Sequence, residues 1–260
     1  MSYERKKRLK NTLNLLHQKK QMTVKEIAQL LNVSDVTVRR DLQDLEDEGR
    51  LRRTHGGATV FGSSRKINDV YLIDEQTERN VKKKSTIGLR ASSLIQQNET
   101  VFFDSGTTVP FVVKYLDKEI PLTALCYTFQ IALEFYHRKN TNLILTGGYF
   151  NRDSNVFHST HGCELIRDIR ADKAFISTGG VDDSLGLTTY FYFEAEIKKA
   201  MIASSKQIIL VTDSSKFGKV SISYFAGLRD IDTIITDDGI DDHYREVIQN
   251  LGIELLIAHS

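Results

Sequence analysis

The sequence predicts an α/β protein in two parts: an N-terminal winged helix-turn-helix followed by a larger, mostly parallel α/β domain. Three observations predict it. Residues 22–58 hold two short amphipathic segments separated by a turn and followed by a basic stretch. From residue 100 onward, continuous apolar runs alternate with helical periodicity, the pattern of a parallel sheet covered on both faces. Charge divides the same way: residues 1–61 carry 13 Lys and Arg against 8 Asp and Glu, and the remainder carries 22 against 26. A basic head on a mildly acidic body fits a module that touches nucleic acid, joined to one that does not.

The 260 residues suffice for one small and one larger domain. Cys126 and Cys163 form neither a disulfide framework nor a zinc spacing, and they suit a reducing interior. With no apolar run of ~18 residues and no apolar leader, a cytoplasmic location without membrane contact is expected.

Residues 3–20 predict a first helix with Leu9, Leu13 and Leu16 inward. Arg5, Lys6, Lys7, Arg8 and Lys10 then face out, solvated or against phosphate. Thr23 with Glu26 is a capping-box pair opening a second helix, whose apolar face is Val24, Ile27, Ala28 and Leu31. Asn32-Val33-Ser34 supplies the turn, and Ser34 caps a third helix with Val38, Leu42 and Leu45 inward. Gly49 ends that helix, and Arg50 through Gly57 form a basic wing.

A short helix pair exposing its second member fits the DNA major groove, where arginines bind guanine edges or phosphates. The candidate DNA contacts are Thr23, Ser34, Asp35, Thr37, Arg39, Arg40, Gln43, Arg52, Arg53, His55 and Gly56. The plain alternative leaves Arg39 and Arg40 solvated, or paired with Asp41 and Asp44. Cap, turn, inward stripe and basic wing together favour DNA.

Ser34-Asp35-Val36-Thr37-Val38-Arg39-Arg40-Asp41-Leu42, with Gly49 and Thr54-His55-Gly56-Gly57-Ala58, resembles the DNA-binding signature of the DeoR family of bacterial transcriptional regulators. On this reading residues 1–58 are the DNA-binding domain, 59–74 a hinge, and 75–260 the second domain. Residues 75–97 read as the first helix of that domain, with Lys82-Lys83-Lys84 as exposed surface.

Strands are expected at 100–103, 122–127, 142–146, 173–177, 207–212, 233–236 and 254–257. Helices are expected near 108–116, 129–137, 193–204 and 241–251. Several of these strands end in small or hydroxyl residues, and ligands of open α/β sheets bind at such ends. Asp104-Ser105-Gly106-Thr107-Thr108 is the most informative: glycine permits close backbone approach, and hydroxyls and N–H groups can cradle an anion such as a phosphate. Gly147-Gly148, Gly179-Gly180 and Lys216 end or follow other strands. Neither a Walker loop nor a dinucleotide fingerprint is present.

This half also resembles the DeoR effector domain, similar in fold to ribose-5-phosphate isomerases and glucosamine-6-phosphate deaminases. The resemblance implies a phosphorylated-sugar effector, with phosphate at Ser105, Gly106, Thr107 and Thr108. It further implies that Asp104, Gly147, Gly148, Gly179 and Gly180 line the pocket and that Lys216 contacts the effector. Where relatives often carry Thr-Asn, this chain has Cys126-Tyr127-Thr128, whose tyrosine can reshape the pocket. Glu194 and Lys198, four apart, read as an intrahelical ion pair.

The resulting expectation is a repressor of sugar-metabolism genes, released from double-stranded DNA by a phosphorylated sugar and acting as a homodimer or homotetramer. No catalytic residue, metal or cofactor is expected. The competing reading is a sugar-phosphate isomerase or deaminase with a DNA-binding appendage, using Asp182 and Asp183 as paired carboxylates. A polar turn is the favoured explanation of those two.

Overall fold

The computed structural model describes residues 3–19, 21–47, 51–54, 56–59 and 73–259. Gly49, Arg50, His55 and the central part of the expected hinge, 60–72, lie outside them, as do the side chains of Lys6, Lys7, Lys10 and Arg52. The chain divides into two compact units, residues 1–70 and 71–260.

In the first unit, α1 (Tyr3–Lys19), β1 (Gln21–Thr23), α2 (Val24–Leu31) and α3 (Asp35–Asp47) precede a hairpin of β2 (Arg52–Thr54) and β3 (Gly57–Thr59). The core takes the expected residues: Leu9, Leu13 and Leu16 from α1, Val24, Ile27 and Ala28 from α2, and Val38, Leu42 and Leu45 from α3. The expected two-stranded wing is a three-stranded sheet, ordered β1-β3-β2, because Gln21–Thr23 pairs with β3. Gly57 lies against this added strand, and a Cβ there would overlap the Met22 carbonyl.

Arg5 and Arg8 do not serve solvent or phosphate, as the charge pattern suggests. Arg8 Nε donates to Asp41 Oδ2 at 2.5 Å and its Nη2 to Oδ1 at 3.1 Å, while Arg5 pairs with Asp44. Asp41 is only 2% exposed. Asp41 and Asp44, the carboxylates of α3 expected to pair with Arg39 and Arg40, are therefore taken by α1.

The second unit opens with α4 (Ile73–Glu78) and α5 (Val81–Ser92), where one helix over 75–97 is expected. The break falls at Asn80, in the left-handed region at φ 53°, a conformation Asn tolerates better than most residues. Its Nδ2 donates to Asp213 Oδ1 at 2.9 Å, so a tertiary bond sets the break. The lysine run is not uniformly surface either. Lys82 is exposed, Lys83 pairs with the buried Asp237 at 2.7 Å, and Lys84 is buried with its ammonium donated to the Gln76 carbonyl. Burial pushes the Lys84 ammonium down to about 8.

There follow β4 (Thr100–Phe103), α6 (Val109–Tyr115), β5 (Leu122–Cys126), α7 (Phe129–Tyr136), β6 (Thr141–Leu145), a hairpin of β7 (Tyr149–Asn151) and β8 (Val156–His158), and α8 (Thr160–Asp168). The rest is β9 (Ala171–Ile176), β10 (Gly180–Asp182), β11 (Gly186–Thr189), α9 (Tyr192–Ala203), β12 (Ser205–Val211), β13 (Ser223–Ala226), β14 (Thr233–Asp237), α10 (Asp242–Asn250) and β15 (Glu254–Ala258). The main sheet has seven strands, all parallel, in the order β15-β14-β12-β9-β4-β5-β6. Two apolar clusters cover it, one built with α8, α9 and α10 and the other with α5, α6 and α7. After β4 the chain adds β5 and β6 on one side, then returns to add β9, β12, β14 and β15 on the other. The order thus reverses at β4/β9, the place where open α/β sheets form a crevice at their carboxyl ends.

Replacing Asp41 with Ala leaves two arginines of the first unit without their shared acceptor. The expected cost is about 2 kcal/mol in urea unfolding of that unit, below the ~3–5 kcal/mol of a fully buried pair because both guanidinium groups keep some water. An unchanged midpoint would show that the α1–α3 pairing contributes nothing.

Candidate functional site

In the first unit the capping groups are as the sequence implies. Thr23 N–H donates to Glu26 Oε2 at 2.7 Å and Glu26 N–H to Thr23 Oγ1 at 3.2 Å, which holds the Glu26 carboxyl below its ordinary range. Thr37 N–H donates to Ser34 Oγ at 3.2 Å at the start of α3. Arg39 and Arg40 are exposed, and among the described residues no acceptor holds them. Gln43 is more constrained: its Nε2 donates to Asp47 at 2.9 Å and its carbonyl accepts from Arg53, whose own N–H donates to Glu46 at 2.7 Å. Val36, absent from the sequence-derived set, is 68% exposed in the first turn of α3. An apolar side chain there suits a thymine methyl group.

In the second unit the carboxyl ends of β4, β5 and β9 meet at Asp104. This residue has no solvent exposure. Tyr127 Oη donates to its Oδ1, and Ser177 N–H and Oγ donate to Oδ2 at 2.6 and 2.7 Å. The Lys198 ammonium, 1% exposed, reaches the same Oδ2 from α9 and also donates to the Ser177 carbonyl at 3.1 Å. Tyr127 Oη also bonds the Ser105 hydroxyl at 2.8 Å. Burial, with the Asp104 carboxylate beside it, pushes the Tyr127 phenol well above its usual range and keeps it a donor.

Around this knot lies a cavity of about 30 Å³, lined by Ser105 to Thr108, Ser177 to Gly179, Thr189, Tyr190, Glu194, Lys198, Val211 to Asp213 and Lys216. Gly106 sits at φ +100°, and a Cβ there would collide with the Ser177 hydroxyl, so the close approach of the two loops depends on glycine. Lys216 stands 5.8 Å from the centre of the Tyr190 ring, and burial lowers its pKa, against the pull of Asp213. Glu194 is 7% exposed and accepts from Thr189 Oγ1 at 2.7 Å; burial raises its pKa, opposed by Lys198.

Several residues expected to share this pocket stand elsewhere. Asp104 lies behind the lining, with its oxygens occupied by protein donors. Gly147 and Gly148 follow β6, two strands from β4 at the edge of the sheet, and do not line the cavity. Gly180 belongs to β10, packed against the Lys219 carbonyl. Gly179 and Lys216 do line it.

Glu194 and Lys198 do not form the intrahelical ion pair that their spacing suggests. The surface pair on α9 is Glu196 with Lys199, at 2.9 Å, while Lys198 bonds across to Asp104. The missed lining residues were foreshadowed by one signal: Glu194 and Lys198 share a face with the buried Ala195, Ile197 and Met201. Asp182 and Asp183 occupy the β10–β11 turn. Asp182 accepts from Ser184 and Leu185 N–H at 3.0 and 2.8 Å, and Asp183 bonds His243 at 3.1 Å. Burial pushes the Cys126 thiol up to about 12, that of an inert packing cysteine.

A helix-turn-helix whose α3 exposes Arg39 and Arg40, followed in sequence by a parallel α/β unit with a polar cavity at its switch point, defines a DNA-binding regulator with a sensor domain. Residues 8–64 match the family described as the DeoR-like helix-turn-helix domain, and residues 79–238 match the DeoR C terminal sensor domain. The chain belongs to the DeoR family of transcriptional regulators. It is 30% identical over 246 residues to the HTH-type transcriptional regulator GolR of Listeria innocua, covering 95% of this chain and 96% of that one. It is 30% identical over 256 residues to the deoxyribose operon repressor of Escherichia coli K12, covering 98% and 100%. Among solved structures, a ribose-5-phosphate isomerase in complex with phospho-erythronic acid aligns at TM-score 0.38 and 13% identity, over 53% of this chain and 54% of that one. The full-length sorbitol operon regulator SorC of Klebsiella pneumoniae aligns at TM-score 0.38 and 12% identity, over 83% and 91%.

Tyr127→Phe removes one donor from the Asp104 carboxylate and the hydroxyl partner of Ser105. Unfolding of the second unit is expected to lose about 2 kcal/mol, the scale of a hydrogen bond to a charged group. A loss within error would mean that the remaining donors satisfy Asp104 alone.

Proposed function

We propose that the protein represses genes of sugar metabolism and that a phosphorylated sugar, bound in the switch-point cavity, releases it from its operator. The observation that supports this most is the composition of the cavity. Ser105, Gly106, Thr107, Thr108 and Lys216 line one small space at the end of a glycine-dependent loop. Such a set of donors suits a phosphate. The Escherichia coli relative is a deoxyribose operon repressor, which supports the biological setting.

A sugar phosphate bonded to the loops at 105–108, 177–179 and 213–216 favours one arrangement of them over others, which is the condition for a ligand to bias DNA affinity. Asn80 and Lys83 of α5 bond Asp213, Ser214 and Asp237 around the last of these loops. They lie just after the segment that joins the two units in sequence, which suits them to carry the change.

On DNA, α3 lies in the major groove with Val36, Arg39 and Arg40 toward base edges and phosphates. Thr23, Ser34, Asp35, Thr37 and Gln43, with Arg53 and Gly56 of the wing, complete the contact set, to which the sequence adds Arg52 and His55. Two copies present two such helices to the half-sites of an operator, in the cytoplasm and without a membrane partner. The competing isomerase or deaminase reading loses its paired carboxylates, since Asp182 and Asp183 serve a turn.

Titrating a protein–operator complex with pentose and hexose phosphates tests the reading: at least one is expected to dissociate it, and a complex untouched by all of them contradicts it. Arg39→Ala is expected to weaken operator binding by ~1–3 kcal/mol and to flatten sequence preference at one base pair. Equal loss on all sequences would reassign Arg39 to a phosphate, and unchanged affinity would remove it from the interface.

A further inference from the structure

Glu194 is a buried carboxylate whose obvious partner is committed elsewhere. Lys198, one helical turn on, spends its ammonium on Asp104 and on the carbonyl and hydroxyl of Ser177, at 3.1 and 3.3 Å for the last two. Glu194 is left with hydroxyls: Thr189 Oγ1 donates to its Oε2 at 2.7 Å, and burial raises its pKa against the opposing pull of Lys198 and of the Thr189 and Ser105 hydroxyls. A carboxylate offers about four acceptor positions, and burying one with fewer donors is costly. Glu194 nevertheless lines the cavity. Lys216 reaches the same cavity beside Tyr190 and Asp213, so its walls present a cation at one place and an anion at another.

A carboxylate accepts hydrogen bonds and repels anions, whereas a phosphate needs the hydroxyl loop and Lys216. We infer that Glu194 is the specificity-determining residue of this site, accepting hydrogen bonds from hydroxyls at the unphosphorylated end of the effector. It thereby restricts the effector to sugar monophosphates with no second anion. This rests on the sugar-phosphate reading above and narrows it. Aldoses, ketoses and polyols carrying one phosphate fit, because their far ends present donors. Aldonic-acid phosphates do not, because their carboxylate would meet that of Glu194 in a space with little water to screen the repulsion.

Matched pairs test this by calorimetric titration of the full chain: ribose 5-phosphate against 5-phosphoribonate, and glucose 6-phosphate against 6-phosphogluconate. For the pair that binds, the neutral-headed member is expected to bind at least tenfold more tightly to the native protein. In Glu194→Gln its affinity is expected to fall about tenfold, the loss of one hydrogen bond to a charged group, and the gap within the pair to narrow. An acid that binds the native protein as well as its neutral partner overturns the inference without recourse to any variant. So does a Glu194→Gln protein, folded by its thermal transition, that binds both members as the native protein does. If the unphosphorylated sugar binds as tightly as its phosphate, the sugar-phosphate reading fails, and the substitution still reads Glu194 on that sugar. A panel in which nothing binds overturns both.

Discussion

The second unit depends on one interaction, the buried contact of the Lys198 ammonium with the Asp104 carboxylate. Two charges taken out of water cost several kcal/mol each, and only dense hydrogen bonding offsets that cost. Asp104 therefore collects donors from two further directions, Tyr127 after β5 and Ser177 after β9. Four segments that the chain visits at very different times converge on one group: the ends of three adjacent strands and the middle of α9. Because β4 and β9 flank the reversal of strand order, the loops held by this knot are the ones that wall the switch-point cavity. Removing one partner of such a pair costs ~3–5 kcal/mol, so the cavity walls are held in register by a penalty large compared with ordinary loop contacts.

A smaller version of the same device organises the DNA-binding unit. Asp41 lies on the inward side of α3, where Arg8 and Arg5 reach it from α1. Arg39 and Arg40, next to it in sequence, point away and keep their charge for another molecule. Three adjacent residues thus divide into two roles according to which side of a helix they occupy. α9 repeats the division: Glu196 and Lys199 bond each other at the surface, while Glu194 and Lys198 turn inward.

Much of this was legible in the sequence, and the limits are physical. Apolar periodicity located every strand of the main sheet and the three helices of the first unit, because burial of a continuous face imposes a period. Local chemistry located the caps at Thr23 and Ser34 and the Ser105–Thr108 loop. What escaped depends on partners distant in sequence. The break at Asn80 follows from a bond to Asp213, and no glycine or proline marks it. The short strands β1, β7, β8, β10, β11 and β13 are three or four residues long, too brief to show a period of two. The roles of Lys83, Lys84, Glu194 and Lys198 follow from which charges the fold buries, and a charged residue carries no local sign of that. Gly147-Gly148 misled for the complementary reason: its strand ends like the others but lies at the edge of the sheet, away from the reversal.

Amide hydrogen exchange of the full chain, with and without a sugar monophosphate that dissociates the operator complex, tests the central claim most directly. The account predicts slowed exchange at residues 105–108, 177–179 and 213–216, the loops anchored around Asp104 and Asp213. Slowing confined to residues 146–149, or no slowing while the operator is still released, would place the effector elsewhere and contradict it.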